Sequence, residues 1–378
     1  MAKDLSSWKG AAAPPGVPLA GRYARLERLD ASRHGGDLWQ AIAGHDDLWA
    51  YMAYGPWRAE AEFVAWLKER QVLADPLYYT VIDGTSGKAI GAITLMEIRP
   101  AAGVIEVGNI FFAPALQRTR AATEVIHLAA RHVFDDLGYR RFEWKCNNGN
   151  ERSKRAALRF GFVPEGLFRQ HMVVKGRNRD TAWFSIIDSE WPLVRRAFEH
   201  WLAPANFDRH GAQKLSLSAI NAREMDVGSM VLSRASVLQQ AEIEAFQEEA
   251  YARNRPILGV EPLPLKWDYA TIFSETEVWE ARQKGRLVGV LILRPMDDHL
   301  VLESVATLPE VQGAGYGNAL LNATEFRARD WGFSTIRLLT GEALTQNVDW
   351  YRRKGFHVED VEAIADRNIV HMVKRLVP

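Results

Sequence analysis

Thiols are nearly missing from this chain. The one cysteine, Cys146, has no partner for an internal disulfide and excludes a multi-thiolate metal site. Long hydrophobic runs are missing too. No stretch approaches the ~18 apolar residues of a membrane span. The opening MAKDLSSWKGAAAPPGVPLAG contains no continuous apolar segment and does not read as a signal peptide. Charge of one sign is also absent, since 47 Lys and Arg balance 47 Asp and Glu. No global field then gathers nucleic acid or an anionic membrane. His, Cys and carboxylates form no cluster at metal-ligand spacing, so no metal is expected. The expectation is a soluble, cytoplasmic globular protein with no nucleic-acid or membrane partner.

What the chain does have is length and tryptophan. Its 378 residues exceed one ordinary core, so two domains are expected. The thirteen tryptophans read as core and loop packing before they read as a ligand cage. The order of elements then repeats. In the first half, Tyr23–Leu29 alternates like a strand and Asp30 or Ser32 opens a helix. Ala59–Val72 is helical, and strands follow at 78–82, 89–95 and 104–112. A helix at 121–137, a strand at 141–146, a helix at 150–159 and strands at 171–175 and 182–188 close the unit. From Met230 the same order returns: strand, helix, strands at 277–282, 287–293 and 300–307, a helix at 317–330, a strand at 336–340, a helix at 348–354 and a last strand at 369–375. One order in both halves predicts an internal duplication. Residues 1–20 read as a flexible arm, 21–192 as the first domain, 193–228 as a helical extension and connector, and 229–378 as the second domain.

The strongest local signal is Pro309-Glu-Val-Gln312-Gly313-Ala314-Gly315-Tyr316-Gly317, between a strand and an amphipathic helix. Glycines let backbone N–H groups approach a pyrophosphate, and a helix N-terminus adds unpaired donors and a positive dipole end. No Lys-Ser/Thr follows, so this is not a P-loop, and no acidic residue is placed for a dinucleotide fingerprint.

Gln312-Gly-Ala-Gly-Tyr-Gly317 resembles the Gln/Arg-x-x-Gly-x-Gly/Ala motif of the GNAT acetyltransferase superfamily. Asn347-Val-Asp-Trp-Tyr351-Arg-Arg-Lys-Gly355-Phe356 is similar to its Asn…Tyr-x-x-x-Gly-Phe segment. The first half resembles the RimJ/RimL-type branch of the same superfamily. There it carries Ile105-Glu106-Val-Gly108, Gln117-Arg-Thr119, Ala122-Thr-Glu124, Asn150-Glu-Arg-Ser153, Gly161-Phe-Val-Pro-Glu-Gly166 and Asn178-Arg-Asp180. It departs from the motif where the middle glycine is Arg120, whose guanidinium offers a direct phosphate contact. The resemblance implies an α+β class with two tandem GNAT domains, each a mixed, mostly antiparallel sheet flanked by helices and splayed beside its phosphate loop.

It also implies acetyl-CoA as cosubstrate and a primary amine as acceptor: a small molecule, an amino-acid-like compound or a protein N-terminus. A homodimer is compatible with the sequence. The implied cofactor contacts are Val305, Thr307, Gln312, Gly313, Ala314, Gly315, Tyr316, Gly317 and Asn347 in the second half, and Gln117, Thr119, Arg120, Ala122 and Asn150 in the first. Glu303 and Glu106 are the general-base candidates, each weighed against a salt-bridged strand glutamate. Tyr351 would protonate the departing thiolate. At the matching place in the first half stands Ala157, with Ser153 as the alternative donor. Asn347 and Ser153 are weighed against ordinary helix-terminus residues. The oxyanion would meet a backbone N–H near Val305 or Ala306. His127 and His132 are expected on a helix surface, and Cys146 as a buried inert thiol. Trp49, Trp57 and Trp66, and the Pro256–Pro264 segment, are the candidate acceptor walls. The competing reading is a CoA-binding regulatory or assembly protein with one or both domains degenerate.

Overall fold

The structure is a computed structural model that describes residues 5–227 and 230–377. The first four residues of the arm, the 228/229 junction and Pro378 lie outside the described residues. The chain divides into two units after Ala212.

The first unit is an eight-stranded sheet. Its strands are β1 (Leu19–Ala20), β2 (Ala24–Arg28), β3 (Leu77–Asp83), β4 (Ala89–Arg99), β5 (Val104–Phe112), β6 (Arg141–Asn147), β7 (Val163–Val174) and β8 (Arg177–Ile187), in the order β1-β2-β3-β4-β5-β6-β8-β7. Its helices are α1 (Ala31–Ile42), α2 (Glu60–Gln71), α3 (Arg120–Arg131), α4 (Glu151–Arg159) and α5 (Trp191–Leu202). Asp30 opens α1 by accepting from the Ser32 and Arg33 amides, and α1 buries His34, Leu38 and Ile42 at helical spacing. Six of the seven β3 residues are buried, because helices cover both faces of the middle of the sheet. Within the arm, Trp8 Nε1 donates to the Ala101 carbonyl at 2.8 Å, and the Ala11 amide donates to the Pro100 carbonyl.

The second unit repeats the plan. Its helices are α6 (Leu217–Ile220), α7 (Gln240–Tyr251), α8 (Arg255–Leu258), α9 (Tyr269–Glu275), α10 (Tyr316–Asp330) and α11 (Thr345–Arg353). Its strands are β9 (Glu224–Asp226), β10 (Val231–Arg234), β11 (Glu277–Gln283), β12 (Arg286–Pro295), β13 (Leu300–Thr307), β14 (Thr335–Gly341), β15 (His357–Ile364) and β16 (Arg367–Arg375), ordered β15-β16-β14-β13-β12-β11-β10-β9. Residues 193–212 therefore pack with the first unit and 213–227 with the second.

In each unit one strand pair is parallel and every other pair is antiparallel. That pair comes apart partway. β13 and β14 are in register only from Leu300↔Ile336 to Leu302↔Leu338, while β13 continues against β12 to Thr307. β5 and β6 likewise part after Val107↔Trp144, while β5 runs on against β4 to Phe112. The cleft this opens has a backbone edge without a strand partner on one wall.

One buried ion pair anchors the second unit. Arg327 and Glu277 are each 0% exposed, and the Arg327 Nε and Nη2 each lie 2.6 Å from a Glu277 oxygen. The same guanidinium donates to the carbonyls of Ala219 and Ile220 on α6. Trp279 and Trp331 each donate their Nε1 to Glu277 at 3.0 Å. Burial pushes the Glu277 carboxyl up, but Arg327 and Arg234 outweigh it and hold the group at about 2.

One expectation is corrected in the first unit. His127 and His132 are buried, because α5 packs over α3 and covers the face that would otherwise meet water. His127 stacks on Phe198 at 5.3 Å, and burial lowers its pKa to about 4. Trp49 and Trp66 are buried and Trp57 is half-buried. They pack with Tyr54, Phe63 and Phe111 into one aromatic core, with Trp49 and Trp57 edge to face at 4.8 Å. Cys146 is buried and its thiol pKa is raised by burial.

Candidate active site

The cleft of the second unit holds a cavity of about 460 Å³. Its floor is the β13 edge beyond the parting point, Glu303 to Thr307. Asn347, Trp350 and Tyr351 of α11 form one wall. Tyr251 and Asn254, with Pro262–Pro264, form the other. Of the Pro256–Pro264 segment, Leu258 and Pro262–Pro264 line the cavity.

The glycine loop meets the cavity at Gln312, and Gly313 to Gly317 are not among its lining residues. Gln312 ends a short 3-10 turn, Gly313 has φ +84° and Gly315 has φ +90°. Both conformations are strained for residues with a Cβ, which is why glycines stand there. No protein atom lies within 4 Å of a Cβ built at either glycine, so the space above the loop is open. Gly315 is the N-cap of α10 and supplies no side-chain acceptor. The first intrahelical bond runs from Ala319 to the Gly315 carbonyl. The amides of the first turn, Tyr316 and Gly317 among them, therefore point outward without intrahelical partners. A Cβ on Gly317 would sit 3.6 Å from the Trp350 ring, which seats α10 against α11.

Tyr351 lies on α11 and lines the cavity. Burial pushes its hydroxyl pKa well up, and Tyr251 nearby adds to the shift, so the phenol stays protonated. Among the described residues its hydroxyl makes no hydrogen bond. Asn347 is the third residue of α11 rather than its cap, a position held by Leu344, so its amide side chain faces the cleft. Glu303 is ion-paired, with Arg294 Nε 2.6 Å from one oxygen and Glu275 sharing the same guanidinium. Its second oxygen has no protein partner among the described residues. Val305 lies on the unpartnered edge with Ala306, and the Thr307 carbonyl accepts from Gln312 Nε2 at 3.5 Å.

Four residues here carry no sequence signal. The Ser304 Oγ lies 3.0 Å from the Tyr251 hydroxyl and accepts from Gln247 Nε2 at 3.1 Å. Arg253 donates to the Gln312 Oε1. These contacts join α7 and its C-terminal turn to β13 and the loop after it, more than fifty residues away, so no local pattern reports them.

The first unit has the same loop entry and a different exit. Gln117 Nε2 donates to the Phe112 carbonyl at 2.9 Å, as Gln312 does to Thr307, each bonding the last residue of the preceding strand. Arg118, with φ +62°, stands where Gly313 stands. Beyond that point the loops differ. Thr119 is the N-cap of α3, and its Oγ1 accepts from the Ala122 amide at 3.1 Å, occupying a donor that the second unit leaves open. Arg120 is the first helical residue. Its guanidinium lies over the rings of Phe207 at 4.6 Å and Tyr23 at 5.0 Å.

The remaining candidates in the first unit are also engaged. Asn150 caps α4 by accepting from the Ser153 amide at 3.1 Å. The Ser153 Oγ accepts from Trp144 Nε1 at 3.0 Å. Glu106 is buried 2.8 Å from the Lys145 ammonium, which also binds Glu143 at 2.9 Å. Burial raises the Glu106 pKa, against the pull of Lys145. Ala157 is fully buried where α11 carries Tyr351.

Two family models match this chain. One described as an acetyltransferase (GNAT) domain covers residues 25–163, and one described as the acetyltransferase (GNAT) family covers 240–356. A solved GCN5-related N-acetyltransferase from Brucella melitensis is 49% identical, with a TM-score of 0.56, over 57% of this chain and 98% of its own. The chain belongs to the GNAT acetyltransferase family. The α+β architecture of two tandem GNAT domains, and the enzyme class of N-acetyltransferase, follow from that membership. An amino-acid acetyltransferase of Pseudomonas putida is 33% identical over 22% of this chain. An uncharacterized N-acetyltransferase, YoaA, of Bacillus subtilis is 36% identical over 20% of it. These matches span 18% and 42% of the relatives' own lengths. Among the described residues no group of His, Cys, Asp and Glu is arranged to hold a metal, and no helix is long and apolar enough to cross a membrane.

Proposed function

We propose that the second unit is the working site of an acetyl-CoA-dependent N-acetyltransferase that transfers the acetyl group directly to a primary amine. The carrying observation is the Gly313–Gly317 loop with open space above it, set at the end of a strand whose edge has lost its partner. The loop amides and the α10 N-terminus would hold the pyrophosphate. The β13 edge near Val305 would receive the pantetheine arm and offer an N–H to the oxyanion. Asn347 would contact the same arm. Tyr351, kept protonated by burial, would give its proton to the thiolate as the C–S bond breaks and the amide C–N bond forms. The free oxygen of Glu303 would take the amine proton, directly or through water.

Titration calorimetry with acetyl-CoA tests the assignment on the full chain and on Gly315→Trp, whose side chain would fill the loop and strain its backbone. One equivalent lost in the variant is the expected result. Binding left intact would move the site out of this loop. A screen of the L-amino acids, benzylamine, spermidine and short peptides, followed by thiol release, would then define the acceptor. With an acceptor in hand, Glu303→Gln should lower kcat/KM most near neutral pH, where the amine is mainly protonated. A pH–rate profile of unchanged shape would remove Glu303 as base.

A second reading applies to the first unit. Thr119 occupies a loop amide, Ser153 is held by Trp144, and Ala157 replaces the tyrosine. Those three observations favour a scaffold or acceptor-binding role there. A single equivalent in the calorimetry, abolished by Gly315→Trp, is what this reading expects.

A further inference from the structure

The Pro309–Gly317 segment carries no cation. Its one charged residue is Glu310, and that carboxylate lies 2.5 Å from Arg286, so the Arg286 charge is already matched. Backbone amides and a helix N-terminus offer only partial charges. A pyrophosphate bears formal negative charge on each phosphoryl group, so a full positive charge at this loop would add to what the amides and helix N-terminus offer. Arg253 is placed to supply it. It lies in the turn between α7 and α8, lines the cavity mouth, and is held against the loop by donating to the Gln312 Oε1. Among the described residues no carboxylate lies within ion-pair distance of it. Gln312 is fixed in turn by the Thr307 carbonyl.

We propose that Arg253 is a cofactor-binding residue that pairs with the pyrophosphate of CoA at the Gly313–Gly317 loop. The inference rests on the second unit binding CoA. Gln312 acts as the rest that keeps the guanidinium at the loop, and the remaining N–H groups of the fork are those that meet phosphate oxygens. Charge-assisted bonds of this kind are the stronger class of hydrogen bond.

The test is calorimetry with CoA on the full chain. Arg253→Met keeps an apolar stem and should weaken the site that Gly315→Trp abolishes by about tenfold at low salt. Arg253→Lys should retain most of the affinity. The deficit of the Met variant should shrink as NaCl rises from about 50 mM to about 1 M, because screening reduces what the charge contributes. Arg286→Ala should bind within about twofold of the parent, since its charge is spent on Glu310. An unchanged Kd for Arg253→Met, a deficit indifferent to salt, or an equal loss in Arg286→Ala would overturn the assignment. Dephospho-CoA separates the phosphates: a deficit that disappears with it would place Arg253 on the 3′-phosphate and overturn the pyrophosphate contact. Wild-type protein showing no CoA binding sensitive to Gly315→Trp would overturn the site reading itself, which is a different failure.

Discussion

Tyr351→Phe is expected to lower kcat by about 10²-fold or more, the usual range for loss of a positioned acid, while the Kd for CoA stays within about twofold of the parent. The substitution removes one oxygen that makes no hydrogen bond to the described residues, and the ring keeps its packing against Phe356 at 5.7 Å and Trp350 at 4.9 Å. A stability loss is therefore not the route to the defect. The raised hydroxyl pKa adds a pH signature. A group that stays protonated across the neutral and mildly alkaline range contributes no alkaline fall in rate there. Wild type should hold its kcat through that range, and the variant should run parallel to it at a lower level. Full turnover in Tyr351→Phe would take the tyrosine out of the chemistry.

Arg327→Leu should destabilise the second unit by about 3–5 kcal/mol, the range for leaving a buried charge without its partner. Glu277 would keep two indole donors and Arg234, 3.6 Å away, but lose the guanidinium that matches its charge. The pH dependence follows from the same pair. Glu277 is held at about 2 in the fold, below its ordinary 4.5. A depressed carboxyl contributes stability that is complete above the unfolded value and is lost as pH falls toward the folded one. The gap between wild type and variant should be widest near pH 7 and narrower near pH 3, read as urea midpoints of the second unit's transition. Equal midpoints at neutral pH would show that the pair contributes nothing to holding α6 and α10 on the sheet. Leucine at both positions should recover part of the loss, because no unpaired charge remains.

The conformation of the glycine loop was legible in the sequence because its requirement is local. Two positive-φ residues and an uncapped helix start leave glycines at fixed offsets, as Gly313 and Gly315 record. The Tyr351-to-Gly355 spacing was legible for the same reason. The strand before the loop was read at its true bounds, since β13 alternates buried and half-buried residues without a break. What was not legible depends on distant packing. His127 reads as a surface residue until α5 is folded over it. Trp49 and Trp66 read as packing first, and which side chains they pack with depends on segments far apart in the chain. β15 was missed because nearly all its residues are exposed, so neither face carries an apolar alternation. Tyr251, Ser304 and Gln247 meet only after a helix crosses a strand. The salt bridge at Glu303 needed Arg294 from the neighbouring strand, whose register no single segment encodes.

The Thr119 hydroxyl carries a consequence for how the two halves have drifted apart. A helix start that is capped by its own side chain behaves as if an anion were already bound. The oxygen on Ala122 N–H sits where a phosphoryl oxygen would compete for the same proton. An incoming phosphate would have to displace an internal rival worth about 1 kcal/mol, whereas at Gly315 it meets none. On the scaffold reading proposed for the first unit, one copy of the fold would lose its appetite for the ligand without losing any of its architecture, since the same cap stabilises the helix.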